Sequence, residues 1–293
     1  MTKTTLTEAA GEKPVDFAIV CDTGCDLPAS FLAGLPVVPE VVSGATGGAE
    51  AGTAAAGGDL RAELVALYRR LAAAGACRIA SVHSSEAFSP VVSAAWAAAE
   101  DVAGEVSVAV IDSGTASVAT GMVVERLAAA CGAGVAFEEA VSQARRLAAA
   151  ARLLVIPTSS AGFARRRTRP SRAGFLGRAT GALRVRLSSE RGLYLLSRGE
   201  VTQLARSTSL VELTSRLVHS MSKIAVNEGE LVYALVETGD ARALRAVEKP
   251  LDTNEFESRS LGTVRAGAPV LSAVGEGAVA VGVAPAAVFD RIG

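Results

Sequence analysis

Apolar and polar positions along this chain fall into blocks whose period changes repeatedly from strand-like to helix-like. DFAIVCD, residues 16–22, is a short continuous apolar run that ends in polar turn residues, the pattern of a buried strand. Val37 to Val42 gives a second strand. Residues 44–58 are almost entirely Gly, Ala, Thr and Glu and read as a loop. Asp59 is placed to cap the following helix, LRAELVALYRRLAAAG, in which Leu60, Leu64, Leu67 and Leu71 recur at helical spacing. CRIASVHSS reads as a strand with a Ser-rich exit, VVSAAWAAAEDVAG as a helix and VSVAVIDS as a buried strand. Helices over about 117–131 and 137–150 follow, then the strand ARLLVIPTSS.

The second half is less regular. ALRVRLSS and GLYLLSR predict a hairpin around SSERG. A helix is expected over about 210–226, then the strand GELVYALVETGD and a helix capped by Asp240. ESRSLG and VLSAVGEGAVAVGVAP complete an α/β second half. Alternation of strands and helices argues for an α/β fold with a mainly parallel sheet in its N-terminal part. With 293 residues the chain suits one large domain or two smaller ones, divided here as 15–155 and 156–290.

Composition narrows the function classes. Half the residues are hydrophobic and only 4% aromatic, so any cavity would be lined by small aliphatic groups that suit an alkyl chain. Twenty-nine basic against thirty acidic residues leave a net charge of −1, without the basic excess of a nucleic-acid-binding protein. MTKTTLTEAAGEKP is polar and lacks the apolar core of a signal peptide, and no apolar run approaches about 18 residues. A cytoplasmic protein that is not integral to a membrane is expected. Cys21, Cys25, Cys77 and Cys131 then read as reduced thiols, the C-x3-C pair as core packing rather than zinc or redox chemistry. Five arginines between Arg165 and Arg172 read as a solvated loop or a docking patch for an acidic partner.

GxxxxGK[ST], GxGxxG and GxSxG are all missing, and neither His83 nor His219 has metal-ligand spacing. His83 precedes Ser84 and Ser85, but neighbours on a strand face opposite ways, a poor arrangement for a nucleophile and its base. No catalytic residue, metal or cofactor is therefore assigned. Polar residues do gather at strand ends: Asp22 and Thr23, Ser84 and Ser85, Asp112 and Ser113, Thr158 to Ser160. Such ends border the ligand crevice of open parallel sheets, and hydroxyls and N–H groups there suit a carboxylate. The same residues could equally cap the following helices.

The ordered set of motifs resembles the DegV family. Its T-D-S-T-A-D-L-P signature is similar to Cys21–Pro28, with Asp22, Asp26, Leu27 and Pro28 matching and Thr23 in place of Ser. V-V-P matches Val37, Val38 and Pro39; the double Ser matches Ser84 and Ser85; V-x-V-I-D-S matches Asp112 and Ser113, with Gly121 in the next helix. The resemblance implies two α/β domains, a long-chain fatty acid in a tunnel between them, and a carboxylate held by Ser and Thr hydroxyls. It also implies a bacterial protein without catalysis of its own, which presents the acyl chain to a separate fatty acid kinase subunit. Asp22, Thr23, Thr53, Ser84, Ser85, Arg167, Gly275 and Gly277 fall at the matching ligand-binding positions. Each buried methylene is worth about 0.8 kcal/mol, so the tail carries most of the affinity. Removing a Ser84 or Ser85 hydroxyl buried against the charge is expected to cost about 1–3 kcal/mol of binding.

Departures from the pattern are also plain. Of T-S-Q-P-S only Thr53 remains a hydroxyl; S-G-T becomes Phe88, Ser89 and Pro90. G-G-R-I falls at Arg165 to Thr168, and H-x-G-P-G keeps only Gly275 and Gly277. Two other readings therefore stand beside the carrier: a protein of this type with a closed pocket and a structural or regulatory role, and an enzyme acting on a small anion at the strand ends.

Overall fold

The structure, a computed structural model, describes residues 17–27, 40–42, 54–158 and 190–291. Its first sheet is made of β1 (Ala18–Asp22), β2 (Glu40–Val42), β3 (Arg78–His83) and β4 (Ser107–Asp112). The order is β2-β1-β3-β4, and every pairing is parallel. α1 (Ala54–Ala73) and α2 (Val91–Asp101) cover one face, burying Leu64, Tyr68, Val91 and Ala95 against Val20, Ile79 and Val110. α1 begins at Ala54, so Asp59 lies inside the helix and does not cap it. The Ala residues from position 54 are strong helix formers, and they carry the helix back through a stretch that reads as a loop.

α3 (Ser117–Gly132) and α4 (Phe137–Ala150) lie on the other face of this sheet. The second sheet contains β5 (Arg152–Ile156), β6 (Arg191–Ser197), β7 (Glu200–Ser207), β8 (Leu231–Glu237), β9 (Ser258–Arg265) and β10 (Val279–Pro285). Their order is β7-β6-β5-β10-β8-β9, antiparallel except for β8 with β9. β5 directly follows α4 yet hydrogen-bonds only into this second sheet. α5 (Leu210–Glu228) and α6 (Ala241–Asp252) cover its far face. Asp240 caps α6 as expected, accepting the Arg242 N–H at 2.8 Å. Two short helices, α7 (Ala268–Val274) and α8 (Ala286–Phe289), flank β10.

The layers are therefore helix, sheet, helix, sheet, helix. The middle layer holds the two halves together, because one apolar cluster runs from Ile19, Val82 and Ile111 through α3 and α4 to Val155, Leu196 and Ala280. Val118, Met122, Val123, Val124 and Leu127 of α3 are fully buried; each such side chain is worth up to about 1.5–3 kcal/mol. Close approach of α3 to the second sheet depends on Gly282 of β10. A Cβ there would stand 2.6 Å from Val118 Cγ1 and 3.0 Å from the Ala119 nitrogen.

GLYLLSR forms β6, but its hairpin partner is β7 and the turn is Arg198–Gly199. ALRVRLSS, expected as the partner, lies outside the described residues. β7 escapes the apolar pattern because it is an edge strand of alternating exposed and half-buried residues. Among the described residues, no helix is long and apolar enough to cross a membrane.

Candidate functional site

Parallel register brings the carboxyl ends of β1, β3 and β4 to one edge. Cys21 pairs with Val82 and His83 with Asp112, so Asp22, Ser84 and Ser113 emerge side by side. Asp22 is fully buried and almost fully engaged. Its Oδ1 accepts the Gly24 N–H at 2.7 Å and the Ser84 hydroxyl at 3.0 Å; its Oδ2 accepts the Ser84 N–H at 2.7 Å. Burial alone would raise the carboxyl pKa, but His83 and the Ser84 and Gly24 N–H groups outweigh it and hold Asp22 below its ordinary value. Gly24 is required by space: a Cβ would lie 2.7 Å from Ser84 Oγ and 2.8 Å from Asp22 Oδ1.

His83 is also fully buried. Nδ1 stands 3.3 Å from Asp22 Oδ2, close enough for strong attraction though not aligned as a hydrogen bond. Nε2 bonds Ser81 Oγ at 2.7 Å, and Ser81 Oγ bonds the Tyr68 hydroxyl at 2.7 Å. Tyr68 is pushed up to about 12, chiefly by burial. Asp22, His83 and Ser81 thus follow the acid–imidazole–hydroxyl order of a hydrolase triad. Ser81 cannot serve as its nucleophile, because it is fully buried within β3 and its oxygen is held by Tyr68. The pairing of His83 with the residue two positions back, on the same strand face, follows from strand alternation.

A second acidic centre joins the two halves of the molecule. Asp26 accepts the Ser117 hydroxyl at 2.5 Å and the Gly267 N–H, just before α7, at 2.8 Å. Burial pushes its carboxyl up to about 6, against the opposing Ser117 and Gly267 bonds and with help from the charge on Asp22. Ser117 holds a left-handed φ of 56°, fixed by this bond and by its N–H donating to the Gly24 carbonyl at 2.8 Å.

Hydroxyls fill the remaining strand ends. Ser113 and Thr120 share a 2.8 Å bond, and Thr115 reaches both. Ser84 spends its proton on Asp22. Ser85 differs: its oxygen accepts the Ala87 N–H at 3.2 Å, and its proton has no acceptor among the described residues. Buried Ser89, one turn further on, has no partner for its hydroxyl among the described residues. Among the described residues, the hydroxyl protons of buried Ser85 and Ser89 at this edge are therefore uncommitted. In the sequence Ser89 counts as a remnant of S-G-T; its hydroxyl at that position is the signal that marks it.

Of the residues that the sequence assigns to the site, Asp22, Ser84 and Ser85 meet here, and Thr23 lies beside them, its N–H bonding the Val42 carbonyl at 3.1 Å. Gly275 and Gly277 stand at the opposite end of α7 from Gly267, about 12 Å along the helix axis for Gly275. Gly275 has φ of 85°, and a Cβ on it would overlap the Thr158 hydroxyl, so its neighbours are Thr158 and the β10 turn. Thr53 and Arg167 lie outside the described residues, as do Ser159 and Ser160. Cys21 and Cys25 are free thiols, and the bond from Cys21, then burial, push the Cys25 thiol well above its ordinary value. Among the described residues no group of three or more His, Cys, Asp or Glu is placed to hold a metal ion.

Two sheets that share a middle helical layer, with buried carboxylates and hydroxyls at parallel strand ends, define an α/β protein with its polar centre inside the fold. The chain belongs to the DegV family: the family model described as an uncharacterised protein of the DegV family matches residues 60–286. No match is found among curated proteins. Solved structures agree on the fold. A DegV family protein from Corynebacterium glutamicum is 19% identical, with 93% of this chain and 97% of that chain covered and a TM-score of 0.74. A Thermus thermophilus DegV family protein described for fatty acid binding is 20% identical over 92% and 99% of the two chains, TM-score 0.71. A stearic acid-binding protein from Eubacterium ventriosum is 17% identical over 94% and 99%, TM-score 0.69.

Proposed function

We propose that this protein is a non-catalytic carrier that binds a long-chain fatty acid in a tunnel between its two lobes and presents the carboxylate to a separate kinase. The observation that carries the reading is the pair of buried, uncommitted hydroxyl donors, Ser85 and Ser89, at the edge where the parallel strands end. Family membership and the fatty acids bound by the Thermus and Eubacterium proteins support it. Thr53 and Arg167 remain candidates for the same carboxylate. Ser84 takes a different role, because its proton already serves Asp22: it holds the β1 turn in place, and Ser85 meets the ligand.

Lipid extracted from the purified, denatured protein and identified by mass spectrometry tests the reading. A stoichiometric fatty acid is expected. Ser85→Ala should then weaken fatty acid binding by about 1–3 kcal/mol with little loss of stability, and Ser84→Ala should do the reverse. No co-purified fatty acid, together with no thermal shift on adding palmitate or oleate, would replace the carrier with a closed-pocket protein.

A further inference from the structure

A pocket lies on the outer side of the β4 end, independent of the fatty acid reading. Its cavity of about 370 Å³ is bordered by Trp96, Asp112, Gly114, Arg145 and Arg198. Four features suggest a built site. Trp96 on α2 is 50% exposed and lines the cavity. Arg145, on the exposed face of α4, makes no hydrogen bond or ion pair among the described residues. Arg198 sits in the hairpin turn with φ of 51°, a strained conformation for a residue with a side chain. Its Nε donates to the Ala149 carbonyl at 3.0 Å, which leaves the outer nitrogens of the guanidinium unclaimed among the described residues.

The turn is pressed onto the β4 loop by the Gly199 N–H, which donates to the Gly114 carbonyl at 2.9 Å. Gly114, with φ of 63°, permits the approach, since a Cβ would stand 2.8 Å from Arg198 Cα. Asp112 Oδ1 accepts the Gly114 N–H at 2.8 Å, leaving Oδ2 open. One wall thus holds an aromatic side chain, two guanidinium groups with unclaimed nitrogens border the cavity, and a carboxylate oxygen is open among the described residues.

We propose that this pocket binds a nucleoside phosphate. The base stacks on Trp96, the phosphate is held by Arg145 and Arg198, and Asp112 accepts the ribose hydroxyls. A simple anion would leave Trp96 and Asp112 without a role, and a neutral aromatic would leave both arginines without one.

Trp96 is the only tryptophan in the chain, so its emission reports on this pocket alone. The full chain is titrated with adenosine monophosphate, and with inorganic phosphate and adenosine as separate probes. Saturable quenching by the nucleotide is expected, with phosphate and adenosine at least about ten-fold weaker. Arg145→Gln, an exposed substitution, and Arg198→Gln should each weaken nucleotide binding about 10-fold to 100-fold. Asp112→Asn should weaken the nucleotide and leave inorganic phosphate unchanged. If adenosine monophosphate gives no saturable change up to about 5 mM, by emission and by calorimetry, the proposal is overturned. It is equally overturned if phosphate binds as tightly as the nucleotide, or if Arg145→Gln leaves the affinity unaltered.

Discussion

Asp26 is a charge that the fold holds at a cost, and replacing it with Asn should stabilise the protein at neutral pH. Its carboxyl moves from an ordinary 3.8 to about 6 on folding, first because it is buried. A folded-state pKa above the unfolded one means that the native state binds the proton more tightly. Stability contributed by Asp26 is therefore full in acid, falls as pH rises from about 4 to about 6, and stays low above that. The gap of roughly 2 units is worth about 3 kcal/mol at 1.36 kcal/mol per unit. Asn has the shape of the protonated acid: its Oδ1 can keep the Gly267 N–H, and its amide can donate to Ser117 Oγ, which turns from donor to acceptor. Asp26→Asn should thus gain about 1–3 kcal/mol near pH 7.5 and almost nothing near pH 4. Urea unfolding of both proteins at the two pH values measures the difference, in which contributions from all other titrating groups cancel. Loss of stability near pH 7.5, or an equal change at both pH values, would falsify the assignment of Asp26 as a buried, destabilised carboxylate.

Asp22 predicts the opposite pH behaviour. Its folded pKa lies below the ordinary value, so its contribution is present above that value and lost as pH falls through the folded one. Asp22→Ala leaves the Gly24 and Ser84 N–H groups buried without their acceptor and removes the carboxylate beside His83; a loss of about 3–5 kcal/mol near neutral pH is expected, with the two unfolding curves converging in acid. Gly282→Ala should cost about 1–3 kcal/mol, because the new methyl drives α3 away from β10. Adding Val118→Ala removes the closest atom, Cγ1, so the double variant should be more stable than the sum of the two single losses, as read by chemical denaturation; strict additivity would show that the contact is not what Gly282 avoids.

Apolar runs made β1, β3, β4, β5, β8 and β10 legible in the sequence, and helical spacing did the same for α2 to α6. Strand direction was legible in the first sheet, where alternation with helices predicts the parallel pairing, but not in the second. A buried run such as VAVGVAP carries no mark of which way it points, and β10 runs antiparallel between β5 and β8. β7 was hidden by its polar edge pattern. The start of α1 was hidden by the Gly–Ala stretch that precedes Asp59, where no acidic residue marks the first turn.

The candidate site shows a sharper limit. Strand ends and the family motifs point to Asp22, Ser84 and Ser85 together, because motif position tells only that a hydroxyl is near the edge. Division of labour between the two serines depends on where each proton goes. Ser84 Oγ lies 3.0 Å from an ionised carboxylate and must donate to it, whereas Ser85 Oγ already accepts from Ala87 and has its proton free. His83 follows the same logic. Next to two serines in sequence, it resembles a base looking for a nucleophile; in the fold it bonds Ser81, whose oxygen is in turn held by Tyr68. On the proposed carrier reading, ligand chemistry at this edge falls to Ser85 and Ser89, while Asp22, His83, Ser81 and Tyr68 form a buried polar frame beside it.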